Sequence, residues 1–274
     1  MQRVDLSGPL LAIWFWTVIL FLFAPLFVVI MFSFNPSEIS VLPLRGFTFD
    51  WYAKLFQNEQ IGTALVNSLS VAAVTVVLSV VLGVSVAIGI SRQRGKLSSG
   101  LLAFAAAPMI LPRLILGVSL LTFIDALGLR LSLWTVMIGH SLIGIPYVIL
   151  IVNARLASFD HNLEEAARDL GAGFFTVIRT ITLPIIKPAI FAAALISFTL
   201  SFDDVVVAFF TTGVDNTLPM LLWGLLRHGI TPEVNALASV TLLVSGLTAV
   251  VAELMLRLSV RSPSSKSTKE NDNG

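Results

Sequence analysis

The sequence predicts an all-α integral membrane protein with six transmembrane helices, and three observations carry that reading. Hydrophobic residues make up 56% of the 274 and charged residues only 12%, about half the charged share of a soluble domain. Mean hydropathy is +0.93. The apolar residues gather in runs long enough to cross a hydrocarbon core of about 30 Å, which takes roughly 20 helical residues. No water reaches that core, so the backbone must bond to itself, and continuous apolar runs do so as helices.

The expected spans, in order, are residues 10–32, 65–90, 101–124, 133–153, 186–210 and 235–257. The first run is too long for the apolar region of a cleavable signal, and no small-residue cleavage pattern follows Ser33. Trp14 and Trp16 suit a membrane interface. Pro108 and Pro112 mark a kink in the third span, and Pro146 one in the fourth. Gly83, Gly89, Gly139 and Gly144 are candidates for close helix contacts. Glu253 and Arg257 in the last span are spaced for an i,i+4 pair. Leu218–Leu226 is apolar but short, which suits a surface or re-entrant helix. The organisation is thus an N-terminal segment 1–9, a transmembrane domain 10–260 and a polar, disordered tail 261–274.

Charge placement orients the bundle. Counting the N-terminus, the 91–100 and 154–187 loops and the tail on one side gives twelve Lys and Arg, against four on the other. Basic loops stay in the cytoplasm, so both termini and the 154–185 loop are expected there. The chain has no cysteine, which removes disulfides, thiolate metal sites and Cys nucleophiles. Three isolated histidines give no metal spacing, and nothing calls for nucleic acid.

The 154–185 loop is the most specific segment. Asn162 is placed to cap a helix from Leu163, with Glu164 and Glu165 in its first turn suiting the positive helix end. Ala166 and Ala167 keep one face small, Gly171 permits a left-handed stop, and 174–182 forms a second short helix before Pro184. Glu165, Ala166, Ala167, Gly171, Ile181, Leu183 and Pro184 reproduce the spacing EAA-x3-G-x9-I-x-LP. That spacing resembles the cytoplasmic loop of permease subunits of binding-protein-dependent ABC importers. The resemblance implies that Glu164, Glu165, Ala166, Ala167, Gly171, Ile181, Leu183 and Pro184 couple the chain to an ATPase.

It extends along most of the chain. Residues 201–207 (SFDDVVV), 209–213 (FFTTG), 216–219 (NTLP) and 231–238 (TPEVNALA) are similar to spermidine/putrescine permeases of the C type, within the MetI-like fold. The family implies an inner-membrane, multi-pass subunit that moves a small polyamine-like or amine-containing solute inward. It implies an ABC ATPase, a second related permease, an extracytoplasmic binding protein and membrane lipid as partners. ATP and Mg are then expected on the ATPase. The chain's own 90–97 segment lacks the Gly and the Ser or Thr of a Walker A loop.

Within the spans, Asp203, Asp204 and Arg113 stand out, because intramembrane charges are costly and mark pathways or pairs. The two carboxylates are expected in the outer half of the fifth helix, about 100° apart around it. Arg113 is placed to pair with either, or with a substrate carboxylate. The last option favours an opine-like or amino-acid-derived zwitterion over a diamine. A different class, an ion-coupled carrier using Asp203, Asp204 and His140, has no need of the loop spacing. His140 itself reads as a hydrogen-bonded packing residue.

Overall fold

The computed structural model describes residues 7–37, 42–93, 95–160, 162–227 and 229–260, and every regular element among them is helical. The order is α1 (Ser7–Phe32), α2 (Asp50–Gln57), α3 (Glu59–Ser91), α4 (Lys96–Ile110), α5 (Arg113–Ala126) and α6 (Leu133–Ala157). Then come α7 (Asn162–Asp169), α8 (Phe174–Val177), a π segment (Ile178–Thr182), α9 (Leu183–Phe202), α10 (Val206–Thr211), α11 (Leu218–Leu226) and α12 (Pro232–Val260). Five of the helical runs are long and apolar enough to cross a membrane, and a bent pair supplies a sixth. The expected tail and most of the 1–9 segment lie outside the described residues.

Two expected spans are interrupted. The 101–124 stretch is not one kinked helix but α4 and α5, which meet at 93°. Proline disfavours helical geometry in the residue before it, and Leu111 is extended (φ −70°, ψ 130°). Pro112 follows at ψ 131°, so two consecutive extended residues turn the chain. By contrast, α4 continues through Pro108 and α6 through Pro146. The 186–210 stretch also breaks, with α9 ending at Phe202 and α10 starting at Val206. Asp203 and Asp204 therefore sit at a helix junction, where backbone groups are unpaired, rather than on the flank of a continuous helix.

The chain divides into two compact units, one of Met1–Thr63 and Leu221–Leu243, the other of Ala64–Met220 and Val244–Gly274. In the first, Asn35 is buried and organises the chain after α1: its Oδ1 accepts from the Arg45 N–H at 3.2 Å, and its carbonyl from Trp51 Nε1 at 2.8 Å. Phe34 stacks on Phe47 at 4.6 Å, with Phe49 and Tyr52 against them. Trp14 and Trp16 are exposed, like most of α1.

The second unit is built on α6, the helix with the largest buried share. Val148, Ile149, Val152 and Leu156 of α6 pack with Val84, Ala87 and Ile90 of α3 and with Ile186 and Ala193 of α9. Small residues let these helices approach. A Cβ on Gly144 would stand 2.5 Å from Ser79 Oγ and 2.6 Å from Ser197 Oγ, and one on Gly83 would stand 2.7 Å from Val148. Gly89, expected to do the same, faces open space.

Candidate coupling surface and intramembrane polar site

Residues 158–184 fold as a compact knob. The cap of α7 differs from expectation: the Asp160 carboxylate, not Asn162, accepts from the Asn162 N–H at 3.0 Å. Asn162 is already helical. At the other end Gly171 has φ +88°, the left-handed conformation expected of it. Its N–H reaches Arg168 O at 2.8 Å, and the Ala172 N–H reaches Ala167 O at 3.0 Å. Those two bonds form a Schellman stop, which satisfies carbonyls that a helix end leaves open.

The second arm does not end before Pro184. Helix α8 passes through the π segment straight into α9, with Pro184 in the first turn of α9. Proline offers no N–H to the preceding turn, and the ladder changes register just where that donor is missing. The knob is thus covalently and helically continuous with a long membrane helix.

The acidic pair in this knob divides its tasks. Glu164 is buried; its carboxylate accepts from Thr182 Oγ1 at 2.5 Å and lies 3.5 Å from Arg168 Nη2 and 3.6 Å from Arg92 Nη2. It ties the arms together. Glu165, Ala166 and Gly171 are exposed, and Leu170 and Phe175 are 90% and 82% exposed. Ile181, Leu183 and Pro184 lie on the arm that enters the bundle.

The second site lies where the two interrupted stretches meet. Arg113 is the first residue of α5, and its Nη1 bonds Asp204 Oδ2 at 2.7 Å. The other Asp204 oxygen accepts from the Val207 N–H at 2.7 Å and the Ala208 N–H at 3.4 Å, so it caps α10 from two positions before the helix. The Asp204 side chain is fully buried while the Arg113 side chain is 42% exposed. His140 from α6 places Nε2 3.6 Å from Asp204 Oδ1, and its Nδ1 shares a hydrogen bond with Ser201 Oγ at 2.9 Å. Asp203 turns elsewhere: its Oδ1 accepts from Ser245 Oγ of α12 at 2.7 Å. Nearby, Thr199 and Thr248 bond at 2.8 Å.

Residues 79–264 match the model of the family described as binding-protein-dependent transport system inner membrane component. The spermidine/putrescine transport system permease protein PotC of Haemophilus influenzae is 34% identical over 238 residues, covering 86% of this chain and 92% of that one. The putrescine transport system permease protein PotI of Escherichia coli K12 is 36% identical over 240 residues, covering 85% of each. The chain belongs to this family of transport permeases.

The fold agrees. A bacterial ABC transporter chain involved in importing alginate matches with a TM-score of 0.70 at 18% identity, over 92% of this permease and 95% of that chain. The MetNI methionine ABC transporter gives 0.62 at 18% identity, over 78% and 100%. The expectations of an all-helical MetI-like permease and of a transport subunit hold on these matches.

What sequence reasoning missed in this permease is non-local. His140 has no ionisable neighbour one turn away on its own helix, yet it packs beside Asp204 from the α9–α10 junction. Ser201 entered only as part of the 201–207 resemblance, and Ser245 carried no signal, since isolated serines are common in membrane helices. Arg92 counted only as a positive charge on a loop, and the structure sets it within the knob.

Proposed function

We propose that the chain is one of two permeases of an ABC importer, and that it carries a small polyamine-like cation into the cytoplasm. The observation that supports this most is the exposed knob, continuous through the π segment with α9. Glu165, Ala166, Ala167 and Gly171 form the surface that a partner ATPase engages, and the ATP and Mg belong to that partner. The 90–97 segment of this chain lacks the Gly and the Ser or Thr of a Walker A loop, which supports placing the nucleotide elsewhere. Closure of the ATPase pushes the knob, and the continuous helix passes the displacement into the bundle. A second permease and an extracytoplasmic binding protein complete the complex, which sits in the inner membrane with both termini in the cytoplasm.

For the solute, the named substrates of PotC and PotI favour a polyamine. Charge bookkeeping is compatible with it. The Arg113 guanidinium is matched by Asp204, whereas Asp203, exposed and with a serine hydroxyl as its partner, remains to attract a cation. Asp203 is therefore the pathway residue of the three, with Asp204 and Arg113 shaping the wall beside it. A zwitterion reading rests on the exposed part of Arg113. Uptake of labelled putrescine and spermidine, with a zwitterionic amine as competitor, is measured in cells holding the complete complex. Polyamine uptake that needs the ATPase and falls about tenfold in Asp203→Asn supports the proposal. Uptake independent of the ATPase, or equal uptake in Asp203→Asn, contradicts it.

A further inference from the structure

Arg92 follows the last residue of α3, and the structure sets its side chain between both arms of the knob. Its Nη2 lies 3.6 Å from Glu164 Oε2 on α7, and its guanidinium stacks over the Phe174 ring at 4.5 Å, at the start of α8. The side chain is only 23% exposed. An arginine suits this position, because a planar cation meets a carboxylate at its edge and a ring at its face. A lysine offers a point charge and no plane.

The rod that Arg92 terminates is the longest helix among the described residues, 33 residues. Toward its far end Asn67 Nδ2 donates to Asn216 O at 3.0 Å, and Ser68 Oγ accepts from the Leu218 N–H at 2.7 Å. From Ser68 to Arg92 is 24 residues, about 36 Å at 1.5 Å per residue, enough to cross a bilayer core of about 30 Å. Helix α3 is thus pinned to the knob at one end and to the 216–218 segment at the other.

We propose that Arg92 is a positioning residue for energy coupling. It makes α3 a second transmission rod, so that motion of the knob enters the bundle through α3 as well as through α9. This rests on the reading of the knob as the ATPase contact. A knob held by α9 alone would move with one helix. Arg92 adds a non-covalent clamp that obliges α3 to follow, and with it the 216–218 segment on the opposite side of the membrane.

The test uses the full transporter, reconstituted with its ATPase and binding protein. Three quantities are read: solute moved per ATP hydrolysed, crosslinking of an Ala166→Cys knob to the ATPase, and the amount of assembled complex. Arg92→Ala is expected to lower solute moved per ATP by about tenfold, with hydrolysis and crosslinking retained. Arg92→Lys should fall between it and the parent. If Arg92→Ala fails to assemble, Arg92→Lys and Phe174→Leu are read by the same ratio. An unchanged ratio overturns the proposal. So does a fall matched by equal loss of crosslinking, because Arg92 would then only hold the knob in shape. Absence of crosslinking in the otherwise unmodified Ala166→Cys protein instead overturns the ATPase reading on which the proposal rests.

Discussion

The knob at 158–184 and the polar junction around Asp204 both place charge beside an interrupted helix, yet they are built in opposite ways. The knob is local. Its cap, its left-handed stop and its buried Glu164 are set mostly by residues within about 25 positions of each other. The junction is assembled from α5, α6, α9 and α10, and its central pair joins residues 91 positions apart. A local device tolerates exposure, because water satisfies what the chain leaves open. At the junction Asp204 and His140 are buried, and the Asp204 carboxylate is satisfied by Arg113 of α5 and by backbone N–H groups of α10. One region is therefore turned outward on short local contacts, and the other ties α5 to the α9–α10 junction.

The strongest way to break the comparison is to remove the Asp204 carboxylate. Asp204→Ala strands the Arg113 guanidinium and uncaps α10. Loss of one partner from a buried pair costs about 3–5 kcal/mol, and the half-exposed guanidinium places this case near 3 kcal/mol. Thermal unfolding in detergent should show a large fall. Asp204→Asn should cost less, because its amide oxygen still accepts from the Val207 N–H. Equal stability of both variants and the parent would show that the junction does not hold the bundle.

Next comes Gly171→Asp. A side chain at φ +88° is strained by about 1–2 kcal/mol, which a surface knob absorbs without loss of the protein from the membrane. Uptake is expected to fall more than tenfold while membrane levels stay constant. Parental uptake would separate the knob's geometry from transport.

The smallest effects come from the glycines. Gly144→Ala pushes on two serine hydroxyls that are able to rotate away, so about 1 kcal/mol is expected, at the low end for overpacking. Gly89→Ala meets open space and should leave stability unchanged or slightly raised. Similar unfolding temperatures for these two variants would mean that α3, α6 and α9 pack less closely at Gly144 than the structure shows.

Much of this was legible in the sequence, for identifiable reasons. Apolar run length marked the helices, and α11 was bounded correctly at Leu218–Leu226. The Glu253–Arg257 pair, 2.7 Å apart, follows from helical spacing alone. The left-handed turn at Gly171 follows from the absence of a Cβ. The break at Leu111–Pro112 was legible as a bend, but hydropathy measures solvent preference and carries no backbone angle. It could not say that the bend reaches 93°. The junction at Asp203 was hidden likewise, since the apolar residues after it kept the run long. Asp160 was overlooked as a cap because Asn162 has the same chemistry two positions later.

The sequence by itself determined what is fixed by a residue's own chemistry and its near neighbours: a membrane solvent, helical runs, and the spacing of the knob. Tertiary structure alone decided which charges meet across separate elements. It gave Asp204 to Arg113 and α10, Asp203 to Ser245, and Arg92 to Glu164 and Phe174. The physical reason is that a buried or half-buried charge is stabilised by whatever lies within about 4 Å in space. In a bundle of long helices, those neighbours come from distant parts of the chain.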